Sequence, residues 1–215
     1  VPEETLRLIE QAGGKACHIA VDVTDEQAVE QAIQGGCTVV QLREKYASSR
    51  EFFETAQRVK QITDSYHIPL IINDRTDICL AVNAAGIHIG QQDLPAKIVR
   101  SMVGPDKIIG VSAATLSEAI QAEQDGADYL GVGAMFATST KTNTRPVTIE
   151  RLTQIKQAVQ IPVVAIGGIQ SSNVTTLTDT GIDGIAVVSA ILAQENITHA
   201  AEQLKACFTG AGHEV

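Results

Sequence analysis

The chain has 215 residues, of which 44% are hydrophobic and only 3% aromatic, and its formal net charge is −9 at pH 7. This length suits one α/β domain with a sizeable core, and the negative charge argues against nucleic acid as a partner because a phosphate backbone requires a basic surface. No apolar run approaches the length of a membrane span, so we expect no membrane partner.

Short β-branched runs alternate along the chain with longer amphipathic segments, a pattern typical of βα units and a parallel sheet. The expected strands are residues 17–23, 38–42, 70–73, 86–89, 107–111, 129–132, 162–166 and 184–188. The expected helices are residues 25–34, 48–66, 76–84, 95–103, 116–125, 149–159, 172–180 and 191–207.

Eight strands, each followed by a helix, predict an α/β fold in the form of a single (β/α)8 TIM-barrel domain over residues 1–215. Residues 1–15 would add an extra N-terminal helix, centred on residues 3–11, and residues 209–215 would form a disordered tail. No linker or low-complexity tract divides the chain. The oligomeric state is left open, with a homo-oligomer as one alternative.

The four cysteines, Cys17, Cys37, Cys79 and Cys207, lie far apart and show no C-x-x-C or paired histidine spacing. This pattern argues against a structural zinc site and is typical of reduced thiols inside a cell. We therefore expect a cytoplasmic protein in which Cys37 and Cys79 fill apolar space, and the pattern suggests no nucleophilic role.

In a barrel of this kind, the active site is built from the residues that follow each strand. The residues at those positions are Gln41, Leu42, Arg43, Glu44, Lys45, Asn73, Asp74, Gln91, Gln92, Asp93, Ser112, Thr138, Ser139, Thr140, Lys141, Gly167, Gly168 and Ser189. They form a chemically coherent set of cations, carboxylates, amides and hydroxyls.

Arg43 and Lys45 alternate with Glu44, so on an extended chain both cations point to the same side and suit a polyanion. The alternative is a solvated charge cluster. Asp74 and Asp93 follow neighbouring strands, and two carboxylates beside these cations suit Mg²⁺ when a diphosphate supplies the remaining oxygens. The alternative is that each aspartate caps the N-terminus of a helix.

The last two strands end in the small residues Gly167-Gly168 and Val188-Ser189, where barrels usually bind phosphate through backbone N–H groups. Residues 138–141 add hydroxyls and an ammonium group that are typical of a phosphate cradle, with a generic polar loop as the alternative. His88 has no second histidine or carboxylate at ligand spacing, so we expect it to be buried and hydrogen-bonded.

These residues closely resemble the thiamine phosphate synthase family. The matching motifs are Val40-Gln41-Leu42-Arg43-Glu44-Lys45, Ile71-Ile72-Asn73-Asp74, Gly86-Ile87-His88-Ile89-Gly90-Gln91-Gln92-Asp93, Gly110-Val111-Ser112-Ala113, Gly131-Val132-Gly133, Thr138-Ser139-Thr140-Lys141, Ile166-Gly167-Gly168-Ile169 and Val187-Val188-Ser189-Ala190-Ile191. They occur in order over residues 26–207, and their combination is highly specific.

The resemblance implies a Mg²⁺-dependent transferase that joins hydroxymethylpyrimidine diphosphate to thiazole phosphate and releases pyrophosphate. It implies that the pyrimidine diphosphate is bound by Gln41, Leu42, Arg43, Glu44, Lys45, Asn73, Ser112 and Lys141. It implies that Mg²⁺ is bound by Asp74 and Asp93, and the thiazole phosphate by Thr138, Ser139, Thr140, Gly168, Val188 and Ser189. The expected catalytic residues are Arg43, Lys45, Ser112 and Lys141. Loss of pyrophosphate would leave a cation-like pyrimidine methylene, which the thiazole nitrogen attacks.

Some positions depart from the family pattern. Ala114 stands where the family usually has histidine, and Ala134 and Ala137 stand where it usually has proline. Residues 16–25 resemble part of a short-chain dehydrogenase, so the first strand is the weakest part of the match to the family. That enzyme class is rejected for the whole chain because its glycine fingerprint and its Tyr-x-x-x-Lys motif are missing.

Two alternative functions are kept. A thiazole tautomerase would share the thiazole phosphate pocket, but it would use a histidine near position 114 and would not need Asp74, Asp93, Arg43 and Lys45. A non-catalytic thiazole-phosphate-binding relative is favoured only by the altered loop near Ala137. The paired aspartates with both cations favour the synthase.

Overall fold

The computed structural model describes residues 16–21 as backbone, and residues 25–138 and 145–210 in full. The predicted N-terminal helix within residues 1–15 and residues 211–215 of the predicted tail lie outside the described residues. The tail prediction is wrong for Thr209 and Gly210, because the last helix ends at Thr209 and Gly210 caps it in the left-handed conformation, with φ 75°.

Strands of four to six residues recur through the described chain, close to their predicted positions. They are β1 Ala16–Val21, β2 Val39–Leu42, β3 Leu70–Asn73, β4 Gly86–Ile89, β5 Ile108–Ala113, β6 Tyr129–Val132, β7 Val163–Ile166 and β8 Gly184–Val187. Helices follow them: α1 Glu26–Gln34, α2 Ser49–Ser65, α3 Thr76–Ala81, α4 Ala96–Val103, α5 Leu116–Gln124, α6 Ile149–Ala158, a 3-10 helix Val174–Thr180, α7 Ser189–Leu192 and α8 Ile197–Thr209. None of these helices is both long and apolar enough to cross a membrane.

Two of the predicted helices take a different form. The segment predicted as an α-helix over residues 172–180 is the 3-10 helix, because threonines disfavour an α-helix and their hydroxyls donate instead to carbonyls three residues back, as Thr178 does to Thr175 at 2.8 Å. The helix predicted over residues 191–207 is divided into α7 and α8. The break occurs because the Asn196 side chain accepts from the His199 N–H at 2.9 Å and starts a new helix.

The strands form a parallel sheet in which each strand pairs with the next one along the chain, which confirms the predicted α/β class. The β1 backbone pairs with β2 on one side and with β8 on the other, so the strand pairings run in a closed ring. Parallel strands all end at the same edge, so the loops that follow them are brought together at one end of the ring.

The inside of the ring is filled by a small apolar cluster. Its members come from strands that are not all neighbours, so they meet across the interior: Val39, Ile71, Ile108, Tyr129, Val164 and Ala186. Side chains alternate along a strand. Gln41 and Asn73, two residues beyond Val39 and Ile71, therefore point inward as well and form a polar layer above the cluster, toward the strand ends.

The opposite end of the ring is held by two similar ion pairs. Asp128 precedes β6, accepts a backbone N–H of β5 at 2.8 Å, and pairs with Arg100 of α4. Asp183 precedes β8, accepts a backbone N–H of β7 at 2.8 Å, and pairs with Lys156 of α6 at 2.7 Å. Each carboxylate thus joins two strands and a helix at the end of the ring that is farthest from the predicted site.

Candidate functional site

Three of the residues at the end of β2 have different structural roles. Gln41 is buried, and its Nε2 donates to Oδ1 of the buried Asn73 on β3 at 3.1 Å, which fixes the orientation of both amides. The Leu42 side chain is fully buried in the core outside the ring, so only its backbone can reach a ligand. The Glu44 carboxylate accepts the Tyr46 N–H at 2.9 Å and shapes the turn.

The two predicted metal ligands lie together. Partial burial raises the pKa of Asp93, and the carboxylate of Asp74 raises it further by charge repulsion and by a hydrogen bond between the two side chains. The Gly90 N–H, which donates to Oδ2 of Asp93 at 2.7 Å, acts against this shift. Lys45 Nζ lies 2.9 Å from Oδ2 of Asp74. The ammonium group of Lys45 therefore lies beside two closely spaced carboxylates, those of Asp74 and Asp93.

Neither aspartate is a helix cap. The N-cap of α3 is Arg75 and that of α4 is Pro95, and neither position makes a side-chain capping bond. The capping alternative considered for Asp74 and Asp93 is therefore wrong.

The backbone at Asp74 adopts the left-handed conformation, with φ 63°, and its N–H donates to the His88 carbonyl oxygen at 2.8 Å. This conformation is uncommon outside glycine, asparagine and aspartate. It turns the chain sharply after β3. The sequence does not specify this turn, because aspartate after a strand is compatible with several turns.

A buried hydrogen-bonded chain crosses β4, β5 and β6 within the ring. His88 Nδ1 lies 2.9 Å from the Tyr129 hydroxyl, and His88 Nε2 lies 2.9 Å from Oγ of Ser112. Both rings are at least 90% buried, which confirms the prediction that His88 is buried and hydrogen-bonded. Burial, followed by the charge of Asp128, raises the pKa of Tyr129, so its phenol stays protonated.

Two glycines make room for this chain. A Cβ on Gly131 would lie 2.9 Å from Cε1 of His88, and a Cβ on Gly110 would overlap the ring of Tyr129. Both glycines belong to motifs that carried the family resemblance. Their function in the structure is to leave space inside the ring for two large polar rings.

The loop after β6 packs backbone to backbone on the end of β7. The Met135 and Phe136 N–H groups donate to the Ile166 and Gly167 carbonyl oxygens, each at 3.0 Å. A Cβ on Gly168, where φ is 67°, would lie 2.5 Å from the Ala137 carbonyl oxygen, so glycine is required there. Ala137 therefore faces the predicted phosphate loop of β7.

Thr138 lies at the end of this loop and is partly buried, whereas Ser139, Thr140 and Lys141 lie outside the described residues. Ser189 begins α7, directly after Val188 and the end of β8. Because β7 and β8 pair in register, with Ile166 opposite Ala186, their ends are adjacent. The structure thus brings the ends of β6, β7 and β8 together on the side of the ring away from Asp74.

The region of Ala114 is held by Glu118 of α5. Its Oε2 accepts the Ala114 N–H at 2.8 Å, and its Oε1 pairs with Arg145 at 2.7 Å. Burial raises the pKa of Glu118, but the Ala114 N–H and the Arg145 guanidinium outweigh this effect and hold the pKa below its ordinary value. The ion pair therefore holds Arg145, where the described chain resumes after residues 139–144, beside the first turn of α5.

Replacing Glu118 by glutamine should lower the free energy of unfolding by about 1 kcal/mol at pH 7, because the ion pair is lost while an oxygen remains to cap α5. A carboxylate with a lowered folded pKa contributes stability above its unfolded pKa, about 4.3, and that contribution is lost as pH falls through the lower folded value. The difference in the free energy of unfolding between the variant and the parent protein should therefore decrease below about pH 4.3.

Urea unfolding at pH 7, 5 and 3.5 would measure this difference. The exposed Glu54→Gln on α2 is a suitable control, with little expected change at any pH. An equal difference between Glu118→Gln and the parent at all three pH values would show that the charge of Glu118 does not stabilise the fold.

Comparison with known proteins agrees with this geometry. The sequence pattern of the family described as thiamine monophosphate synthase matches residues 16–191. The chain is 60% identical to the thiamine-phosphate synthase of Ruminiclostridium cellulolyticum over 185 residues, 86% of this chain and 88% of that protein. It is 59% identical to that of Alkaliphilus oremlandii over 180 residues, 84% of this chain and 86% of that one.

Among solved structures, it is similar to the thiamine phosphate pyrophosphorylase of Pyrococcus furiosus, with a TM-score of 0.86 and 36% identity. The match covers 94% of this chain and 99% of that one. Within the described residues, the motifs that carried the resemblance in sequence lie on the strands and at their ends. The chain belongs to the thiamine monophosphate synthase family.

Proposed function

We propose that this chain is a thiamine-phosphate synthase that condenses hydroxymethylpyrimidine diphosphate with thiazole phosphate, in the presence of Mg²⁺, to give thiamine phosphate and pyrophosphate. The observation that carries the proposal is the pair Asp74 and Asp93 beside Lys45. Two carboxylates that repel one another are stabilised by a divalent cation, and a neighbouring ammonium is suited to the diphosphate that the cation would share.

The donor set fits Mg²⁺. Asp74 and Asp93 supply carboxylate oxygens, the ligand type that Mg²⁺ prefers, and Mg²⁺ is commonly bound by one or two carboxylates plus substrate phosphates and water. Within the described residues no cluster of three or more acidic, histidine or cysteine side chains forms a complete metal cage. Bound Mg²⁺ would neutralise charge on the departing pyrophosphate.

The protein's own contribution is binding and orientation. We propose that Arg43 and Lys45, with Lys141, hold the diphosphate and stabilise the negative charge that grows on it as the bond to the pyrimidine methylene breaks. Gln41, Asn73 and Ser112 would orient the pyrimidine, together with the backbone of Leu42 and Glu44. The fixed amide pair of Gln41 and Asn73 supports this role, since preorganised polar groups lose little entropy on binding.

The thiazole phosphate would occupy the other side of the same end of the ring. Thr138, Ser139, Thr140, Gly168, Val188 and Ser189 would bind its phosphate through hydroxyls and backbone N–H groups. The close backbone approach at Gly168 supports this placement, because it leaves N–H groups uncovered by side chains. The thiazole nitrogen then attacks the cation-like methylene, and no protein nucleophile is needed.

Asp74 and Asp93 also favour the synthase over the two alternatives. A thiazole tautomerase or a non-catalytic thiazole-phosphate-binding relative would have no use for a crowded carboxylate pair, and Ala114 supplies no histidine. We further propose that residues 1–215 form a single (β/α)8 TIM-barrel domain with an extra N-terminal helix. The buried thiol of Cys79, which donates to the Gly86 carbonyl oxygen at 3.2 Å, supports a reducing, cytoplasmic location with small-molecule substrates, and a homo-oligomer stays open.

The test is to mix the purified protein with hydroxymethylpyrimidine diphosphate, thiazole phosphate and Mg²⁺, and to follow thiamine phosphate and pyrophosphate together. We expect equal amounts of both products, none of either with EDTA, and recovery when Mg²⁺ is restored in excess. Binding of thiazole phosphate with no product under any of these conditions would overturn the synthase proposal in favour of the alternatives.

A further inference from the structure

Tyr129, His88 and Ser112 form a hydrogen-bonded relay that reaches from the apolar interior of the ring to the strand ends. Tyr129 belongs to the interior cluster, His88 lies in the polar layer, and Ser112 is only partly buried near the end of β5. The inward end of the relay is therefore dry, while its outward end lies among residues assigned above to the pyrimidine diphosphate. The inference below rests on that proposed role of Ser112.

The phenol of Tyr129 stays protonated and therefore has one hydrogen that it can donate. A phenol donates hydrogen bonds well and accepts them poorly, because its oxygen lone pair is delocalised into the ring. If Tyr129 donates to Nδ1 of His88, a neutral His88 must carry its hydrogen on Nε2, since each nitrogen of neutral imidazole is either donor or acceptor. Nε2 then donates to Oγ of Ser112.

This arrangement fixes the direction of the Ser112 hydroxyl. Once Oγ accepts from His88, the hydrogen of Ser112 must point away from the imidazole, toward the end of the ring. The opposite tautomer of His88 would draw that hydrogen inward and present only lone pairs. The two arrangements make Ser112 a donor or an acceptor toward a bound ligand, and they would therefore select different substrate atoms.

The rings cannot easily rotate out of this arrangement. The space beside His88 exists only because Gly131 lacks a side chain, with a hypothetical Cβ 2.9 Å from Cε1. The two rings are tilted at 42° with centroids 5.5 Å apart, and Tyr129 fills the space left by Gly110. Side chains that are packed on all sides hold second-layer hydrogen bonds in place.

We propose that His88, oriented by Tyr129, is a positioning residue that makes Ser112 a hydrogen-bond donor to an acceptor atom of the pyrimidine diphosphate, a ring nitrogen or a phosphate oxygen. His88 itself does not touch the substrate. Its effect on the reaction passes through the direction of one hydroxyl group.

Two substitutions of His88 separate this role from simple packing. Glutamine places an amide nitrogen near the position of Nε2 and can still donate to Ser112, whereas asparagine mimics Nδ1 and falls short of it. We expect His88→Asn to lower kcat/KM for the pyrimidine diphosphate by about 10- to 100-fold, with little change in KM for thiazole phosphate. Both substitutions remove the imidazole, but the kcat/KM of His88→Gln should be about tenfold higher than that of His88→Asn. This difference lies at the lower end of the 10- to 100-fold range.

A double-substitution cycle tests the route of the effect. In the Ser112→Ala background, His88→Asn should cause less than about a threefold further loss, because the hydroxyl that it positions is already gone. An undiminished effect of His88→Asn in that background would overturn the inference while leaving the synthase proposal intact. If Ser112→Ala alone left kcat/KM unchanged, the proposed role of Ser112 would fail and the inference with it.

The tautomer can also be measured without any activity. Nitrogen-15 NMR of the parent protein distinguishes imidazoles protonated at Nε2 from those protonated at Nδ1, and the signal that disappears in His88→Asn identifies the ring among the five histidines. We expect His88 to be neutral and protonated at Nε2. Protonation at Nδ1 would overturn the inference even if the enzyme proved active as proposed.

Discussion

Replacing Asp74 by asparagine is expected to reduce Mg²⁺-dependent turnover by about 1,000-fold, equivalent to about 4 kcal/mol of lost transition-state stabilisation. The carboxylate would leave the metal site, and with it the opposing charge that holds Lys45 at 2.9 Å. Asparagine is the sharper choice than alanine. It tolerates the left-handed backbone that Asp74 adopts at φ 63°, so the loss reports on charge and not on a strained turn.

The measurement is the initial rate of thiamine phosphate formation over a range of Mg²⁺ concentrations, with the affinity for thiazole phosphate measured separately by calorimetry. That affinity should stay within about threefold of the parent value, or 0.7 kcal/mol, because the proposed thiazole phosphate site lies at the ends of other strands. Asp64→Asn, which breaks only an exposed pair with Lys60 on α2, is the matched control. A parallel loss of thiazole phosphate binding would show that the two sites are not separate.

Replacing Gly110 by alanine should have the largest effect on stability, a loss of about 3 kcal/mol in the free energy of unfolding. The added Cβ would overlap the ring of Tyr129, which is fully enclosed and has no exposed direction in which to move. For a chain of this length the expected fall in Tm is about 10 °C. Displacement of Tyr129 would also break its hydrogen bond to His88.

Thermal and urea unfolding would measure this loss. Gly181→Ala is a suitable control, because the backbone there is left-handed with φ 77° and no atom lies within 4 Å of the added Cβ, so only the left-handed backbone penalty of about 1 kcal/mol applies. Adding Tyr129→Leu to Gly110→Ala should cost less than the sum of the two single changes, since the overlap disappears. Equal losses for Gly181→Ala and Gly110→Ala would contradict the crowding argument.

Much of the fold could be predicted because the strands are short, β-branched and separated by clear turn residues. The predicted bounds of β3, β4 and β6 coincide with those observed. The errors lie where side chains compete with the backbone. Three threonine hydroxyls turn an expected α-helix into the 3-10 helix Val174–Thr180, and the Asn196 cap divides the last helix. Propensity and periodicity carry little information about such local bonds.

The site was predictable in composition and less so in geometry. Strand-end spacing correctly predicted that Asp74, Asp93 and Lys45 meet, because parallel strands share one edge. The left-handed turn at Asp74 and the contact between Tyr129 and His88 were not predicted. The turn depends on a single backbone angle at Asp74, and the contact depends on the register of strands whose contacting residues are 41 positions apart. A single sequence specifies neither.

The carboxylates Asp128 and Asp183 have a consequence for how such a protein can change over time. They fasten strands to helices at the end of the ring opposite the substrate residues, through bonds that involve none of the loops after the strands. Loops that carry specificity can therefore be lengthened, shortened or replaced while this base stays assembled. The separation allows new chemistry to evolve on an unchanged framework, which is consistent with departures such as Ala114 and Ala137 being tolerated in a chain whose strands keep the family pattern.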